Sequence, residues 1–404
     1  LKANVALSDV TITADTSMVE ETATLDVTLA TLDKLGELLE VADLPPQELK
    51  ASGSLTMAPA TIGIDELLVT VASAQARLTG ELARGDGESR IEVDASGESL
   101  AELQAGMPEI PFTLKTTALM SPEKLVLDPL ATTFGESDLN GQVNVVNGTP
   151  AEVDVNLQSQ LIDMTPFYEK NLEREEAAIE AREAEQAAGD DQEPESEYVF
   201  TEDPFALDGL REQDLDVDLR IARLVRDTLE LLDIQTVVDL HGGKLDVDHR
   251  MATAGSGESE SKILLDAAGP QPTLDMETDF RGLKLNVSSG EDADISVIPS
   301  TNLTVDIKAS GPSPRAMASS THGRVVLTQG PGRVENELVG RVSGDLISQL
   351  FGALNPMAKD EEYSKWECSV FGIEFVDGDG EIKGLLLQGE KLQVVGGGSI
   401  DLNT

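Results

Sequence analysis

Residues Lys365–Thr404 read KWECSVFGIEFVDGDGEIKGLLLQGEKLQVVGGGSIDLNT, and this stretch decides the fold. Leu392 and Val394 flank Gln393, and Ile400 and Leu402 flank Asp401. Strict period two predicts strands that lay one face on something apolar. Ile382, Gly384 and Leu386 alternate with Lys383, Leu385 and Leu387, so that strand reads as apolar on both faces or nearly so. Asp377-Gly378 and Asp379-Gly380 are residues that accept the positive φ angles of a tight hairpin. Gly396-Gly397-Gly398 is too permissive for a strand interior and predicts a bulge or sharp bend. The stretch is a β-meander, and none of its residues forms a catalytic constellation.

The same pattern runs through the rest of the chain. Val5–Ile12 and Ala23–Leu29 alternate as strands. Leu32, Leu35, Leu38, Leu39 and Ala42 fall at helical spacing until Pro45-Pro46 ends the helix, which predicts helix near Thr31–Val41. Strands follow at Leu49–Met57, Ile64–Val71 and Ala76–Leu82. A second copy repeats the order: Leu100 and Leu103 before Pro108, then Phe112–Leu119, Leu125–Leu130 and Leu139–Val143. Pro108 minus Pro45 is 63 and Gly141 minus Gly80 is 61, so the copies keep step. A repeat of strands with one short helix predicts an extended, solenoid-like sheet.

After the alternating run Val153–Ile162 the composition changes. Residues 169–197 hold twelve acids against three bases. Glu169–Ala188 has helix-forming composition and Gly189–Glu197 has the composition of disorder. A solvated insertion outweighs an acidic partner-binding segment, so deleting Glu173–Glu195 is expected to leave folding intact. Strands resume at Leu215–Ala222, Leu229–Leu240, Lys244–His249, Ile263–Ala267, Leu274–Phe280, Leu303–Ala309 and Arg324–Leu327. Val342, Leu346, Ile347, Leu350, Phe351 and Leu354 form one helical stripe that Asn355-Pro356 stops. Such a helix covers a sheet edge by default, with contact to lipid as the alternative.

Composition narrows the function. Aromatics make up 3% and hydrophobics 40% of 404 residues, so the apolar surface is aliphatic and thinly spread. The net charge of −46 disfavours nucleic acid and anionic bilayer surfaces. One cysteine excludes an intrachain disulfide and any cysteine-rich metal site. No run of 18 apolar residues is present to span a membrane as a helix. The start at Leu1 and the end at Thr404, directly after a strand, suggest a trimmed chain.

Catalytic signatures are lacking. His241 precedes Gly242-Gly243 and reads as a hairpin tip, and His249 reads as lying on a strand's polar side. The pair in one hairpin makes at best a weak metal site, and a bland role outweighs it. Cys368 is expected to be a buried, inert thiol beside Trp366 and Val370. Gly255–Gly257 and Gly330–Gly332 lie between strands as turns rather than phosphate cradles, and Asp377–Glu381 lacks the glycine placement of a calcium loop. With 75 acids no carboxylate pair stands out. These readings predict a non-enzymatic protein without cofactor or metal.

Three stretches carry a resemblance to one family. Cys368 leads into Phe371 and Phe375, then D-G, a leucine strand and G-G-G-S-I-D-L. In the repeats, "L-P, strand, leucine strand, x-L-x-G-x-L" recurs. Phe200-x-x-x-Pro204 with Leu210 precedes an alternating strand. In this order the motifs resemble the AsmA family of periplasmic proteins of two-membrane bacteria. The resemblance implies a mainly β protein: a long curved, mostly antiparallel sheet forming an open trough, with a few short helices. It divides the chain into β repeats over 1–168, the insertion over 169–197 and a C-terminal β region over 198–404 with the amphipathic helix 342–354. It implies a lipid conduit between inner and outer membranes, with phospholipids as partners. It also implies a periplasmic location and an inner-membrane anchor through an N-terminal helix missing from this chain. The expected groove comprises Leu215, Val217, Leu219, Ile221, Leu274, Met276, Phe280, Leu303, Val305, Ile307, Leu392, Val394, Ile400 and Leu402. The alternative is an assembly factor for outer-membrane proteins that acts through exposed strand edges. A solenoid glycan enzyme or adhesin would want aromatics that are not here.

Overall fold

The computed structural model describes residues 2–7, 10–17, 22–29, 47–104, 106–168, 170–171, 200–227, 229–253, 257–284, 298–335, 363–390 and 393–402. Most of these are in strands, and the chain divides into two compact units, Leu1–Asp191 with Leu215–Arg226 and Gln192–Asp214 with Asp227–Thr404. The helices expected over Thr31–Val41 and Val342–Leu354, and the insertion beyond residue 171, lie outside the described residues.

Unit 1 is a meander in which each strand pairs antiparallel with the next. Its first eleven strands are β1 (Lys2–Leu7), β2 (Val10–Ser17), β3 (Thr22–Leu29), β4 (Leu49–Met57), β5 (Thr61–Val71), β6 (Ala74–Ala83), β7 (Ser89–Gly97), β8 (Phe112–Met120), β9 (Lys124–Phe134), β10 (Ser137–Val146) and β11 (Ala151–Ser159). The two-residue β12 (Ile162–Asp163) runs parallel to β13 (Gln213–Arg226). Two expected strands are divided. Val5–Ile12 spans β1 and β2, which fold back on each other at Leu7↔Val10. Val153–Ile162 is cut after Ser159, where the backbone N–H groups of Gln160 and Leu161 donate to Asp138 Oδ1 at 2.9 and 3.0 Å.

The repeat is a four-strand block used twice. β4 to β7 begin at 49, 61, 74 and 89, and β8 to β11 at 112, 124, 137 and 151, giving offsets of 63, 63, 63 and 62. Register breaks recur with it: Ser54/Leu55 in β4–β5 is matched by Thr116/Ala118 in β8–β9. Ile64/Leu67 in β5–β6 is matched by Gly141/Val143 in β9–β10. Gly80 and Gly141 sit at these breaks with φ of 139° and 155°. A Cβ at Gly80 would run into the Arg90 carbonyl oxygen, and one at Gly141 into that of Asn156. Only glycine lets the neighbouring strand approach so closely.

Unit 2 continues the same logic. Its strands are β14 (Leu229–His241), β15 (Lys244–Thr253), β16 (Glu258–Asp266), β17 (Thr273–Leu283), β18 (Thr301–Ser310), β19 (His322–Gln329), β20 (Gly332–Glu335), β21 (Tyr363–Val376), β22 (Asp379–Gly389), β23 (Gln393–Gly396) and β24 (Ser399–Asp401). β14 to β19 form an antiparallel meander. β19 and β20 lie end to end along β21, and β23 and β24 end to end along β22. Each unit's sheet is open: among the described residues no pairing joins β1 to β13, or β14 to β23 or β24.

The C-terminal hairpin turns at Asp377 and Gly378, with φ of 52° and 78°, whereas Asp379 and Gly380 already belong to β22. A register shift at Gly372/Ile373 explains why Ile382–Leu387 reads as two-faced. Ile382 faces Ile373 while Leu385 faces Phe371, so Lys383 is the extra residue and the apolar face is kept.

Short helical pieces sit at one end of each sheet. In unit 1 the 3-10 turn Leu100–Glu102 is tied to the β5–β6 turn by Glu102, whose carboxylate accepts from Ser73 N at 2.9 Å and Ser73 Oγ at 2.5 Å. Phe167 closes edge-on against Phe134, centroids 5.9 Å apart. In unit 2, α1 (Asp208–Arg211) and α2 (Pro314–Ser319) lie at the end of the sheet where the β14–β15 and β21–β22 turns are. Arg211 donates to the carbonyls of Ala267 and Gly269 at 2.7 and 3.1 Å. Leu240 (3% exposed), Ala267 (0%) and Ala318 (8%) are buried at this end.

Candidate functional site

The feature that stands out is a face rather than a cleft. In unit 2, period two and the register put one set of side chains together on eight strands. Leu240 and Val238 of β14 stand against Leu245 and Val247 of β15, and these against Leu265 and Ile263 of β16. Leu274, Met276 and Phe280 of β17 follow, then Ala309, Ile307 and Leu303 of β18. Val325 and Leu327 of β19, Ile373 and Phe371 of β21, and Ile382 and Leu385 of β22 complete the row. At about 4.8 Å per strand the face is about 34 Å across.

Its burial is unusual for a core. Val247, Ile263, Met276, Val305, Ile307, Val325 and Leu385 are each half-buried, whereas a core side chain packed between two layers would be fully enclosed. Fourteen described apolar residues in the whole chain are buried, too few to close a second layer over two sheets of this size. The face is aliphatic and only partly covered.

The opposite face of the same strands is charged and cross-linked. Lys262 reaches Asp246 at 3.5 Å and Asp248 at 3.9 Å, Arg250 reaches Glu260 at 3.6 Å, and Lys308 reaches Asp275 at 2.6 Å. Lys383 bridges Glu374 and Glu381 across β21–β22. These pairs are solvated and individually weak. Their consequence is orientation: the charged face is the solvated one, and the aliphatic side chains lie on its reverse.

Unit 1 has the same construction. Leu67, Leu78, Val93 and Thr116 are register partners on β5 to β8, with Leu130 next on β9, and Val143–Val155 continue on β10–β11. Arg77–Glu66 at 2.9 Å and Lys115–Asp94 at 3.1 Å lie on the reverse.

The expected groove residues divide between the units. Leu215, Val217, Leu219 and Ile221 share one face of β13 in unit 1. Leu274, Met276, Phe280, Leu303, Val305 and Ile307 lie together in unit 2, with Phe280↔Leu303 and Met276↔Ile307 direct partners. Val394 joins them opposite Leu387, and Ile400, 43% exposed, stands opposite Gly380 at the rim. Leu402 falls just past β24, its backbone N–H donating to Gly378 O at 3.0 Å. Leu392 lies outside the described residues. The face also holds Val238, Leu245, Val247, Ile263, Leu265, Val325 and Leu327, which alternation in β14–β16 and β19 equally signals.

Two expectations are corrected. His249 belongs to the apolar face, not the polar one: it stands between Thr236 and Ser261 in the row of Val247 and Met251. Its Nδ1 lies 2.9 Å from Thr236 Oγ1, and desolvation holds the imidazole below the ordinary histidine value. Cys368 is half-buried rather than enclosed: alternation puts it on the same face as Val370, which is itself 37% exposed. No described helix is long and apolar enough to cross a membrane.

Among protein-family models, that of the AsmA family matches residues 13–353, which is 341 of 404 residues. No curated protein and no solved structure matches the chain.

Proposed function

Because the chain belongs to the AsmA family, we propose that it is a non-enzymatic lipid carrier of the bacterial envelope whose aliphatic sheet faces form a conduit for phospholipid between inner and outer membranes. Family membership is consistent with lipid transport or envelope assembly. The observation that carries the finer reading is the half-buried apolar face of unit 2, continuous from β14 to β22 and backed by a charged face. An acyl chain laid on it gains about 0.8 kcal/mol per buried CH2, while a polar head group remains at the wet margin. Burial along a path is all that carriage requires. The same reading takes 1–168 and 198–404 as two lipid-bearing β regions separated by the acidic insertion 169–197, in a periplasmic protein.

The test is Val305→Asp. Val305 stands between Thr278 and Val325 near the middle of the face. A carboxylate there opposes lipid tails, where an unpaired charge costs several kcal/mol. On a half-open face it can still reach water, so folding is retained. The expected result is an unchanged circular dichroism spectrum with loss of bound phospholipid. Global unfolding would mean a closed core, and undiminished lipid would mean a different path.

A further inference from the structure

A polar line crosses the apolar face of unit 2. Thr236, His249, Ser261 and Thr278 are direct register partners on the neighbouring strands β14, β15, β16 and β17. At about 4.8 Å per strand they span about 14 Å. Ser259, on the same face of β16, lies between Met251 and Phe280. It is 1% exposed, and its Oγ has no hydrogen-bond partner among the described residues. An unbonded buried hydroxyl is destabilising, and an alanine would fill the same place without that cost. The line therefore points to something that sheet packing does not supply.

Its chemistry limits the ligand. When the Thr236 hydroxyl donates to His249 Nδ1, Nε2 carries the proton and is a donor. Desolvation favours the neutral imidazole, and the hydroxyls of Ser259, Ser261 and Thr278 add three further donors. His249 is the only titratable side chain on this face of β14–β19 among the described residues, the charged groups of these strands being on the reverse. A phosphate or carboxylate would be desolvated here without a cation. A neutral acceptor fits: a carbonyl oxygen.

Building on the lipid-carrying reading, we propose that Thr236, His249, Ser261, Thr278 and the buried Ser259 form a hydrogen-bonding station for the acyl-ester carbonyls of a diacyl glycerolipid. The chains then extend over the aliphatic parts of the face on either side of the line. The station sets the depth of the lipid and selects ester-linked over ether-linked chains.

The experiment is competition binding to the full chain, read by native mass spectrometry. It uses diacyl phosphatidylethanolamine and its dialkyl-ether counterpart with the same chain length and head group. Retained hydrogen bonds to the carbonyls predict a preference for the diester of about tenfold. In the triple variant His249→Leu, Ser261→Ala, Thr278→Val most of that preference should be lost. Should that variant lose its strand spectrum, Thr278→Val alone, isosteric and on a strand, should reduce the preference about threefold. Equal binding of both lipids by the unaltered protein would overturn the station and leave the conduit standing, with ordered water as the occupant of the line. A preference that survives in the folded variants would assign the selection elsewhere and also overturn it. Binding of neither lipid would overturn both readings.

Discussion

The imidazole of His249 is partly withdrawn from water by aliphatic neighbours, which favours its neutral form. Its folded pKa therefore lies below the unfolded value of about 6.5. As pH falls through that value, the unfolded chain binds a proton that the folded chain resists. Stability thus declines below about pH 6.5 and levels off beneath the folded pKa. In His249→Gln this part of the decline should vanish when urea midpoints are compared at pH 7.5 and 5.5; an identical decline in both proteins would contradict the placement. Glu102 is shifted in the same direction and also loses stability on acidification, but through hydrogen bonds that favour its charged form rather than through burial. The hydroxyl and backbone N–H of Ser73 hold its carboxyl below the usual range. Its contribution is present above the unfolded carboxylate pKa and is lost as pH falls through the folded one, so Ser73→Ala should flatten the acid limb of the stability curve. Gly80 and Gly141 make a sharp steric demand. Alanine at either adds a Cβ against a neighbouring carbonyl at φ of 139° or 155°, and a loss of about 2–4 kcal/mol in denaturant melts is expected. A neutral substitution at both would mean that the bulges are not fixed.

Strands were legible because a one-sided sheet repeats with period two. β4 (Leu49–Met57) is foreseen to the residue. The bulges were not legible, since an extra residue such as Lys383 leaves composition unchanged while re-aiming everything after it. That is why Ile382–Leu387 reads as two-faced. His249 differs for another reason: its polarity points to the outer face, but alternation with its strand neighbours Val247 and Met251 fixes it on the inner one. The groove set was legible in Leu274–Phe280 of β17 and Leu303–Ala309 of β18, whose inner positions are apolar save Thr278, and incomplete in β14–β16, where polar residues interrupt them. α1 and α2 span four and six residues, too short for a helical period to show. Only the Ser313-Pro314 start signal marks α2. Ser313 Oγ accepts from Ala316 N at 3.2 Å, so Ser313→Ala should cost about 1 kcal/mol in unit 2. No change in its denaturant midpoint would show that α2 forms without its cap.

At the scale of the whole molecule, two facts belong together. The chain carries a net charge of −46, and its aliphatic side chains gather on sheet faces that remain half-open. Charge on one face keeps such a surface soluble, and in the function proposed above the other face takes the apolar cargo. A protein built to enclose its own core would have spent these side chains on a second layer. The account therefore turns on which face meets lipid. Met276 and Glu277 are consecutive on β17 and point to opposite faces, Met276 toward Ile263 and Ile307, Glu277 toward Lys262 and Asp306. A photoreactive residue placed at each position in turn, in full-length protein given diacyl phospholipid, compares the two faces one residue apart. The prediction is a lipid adduct from position 276 and none from position 277. Equal labelling of both positions, or labelling from 277 alone, would contradict it.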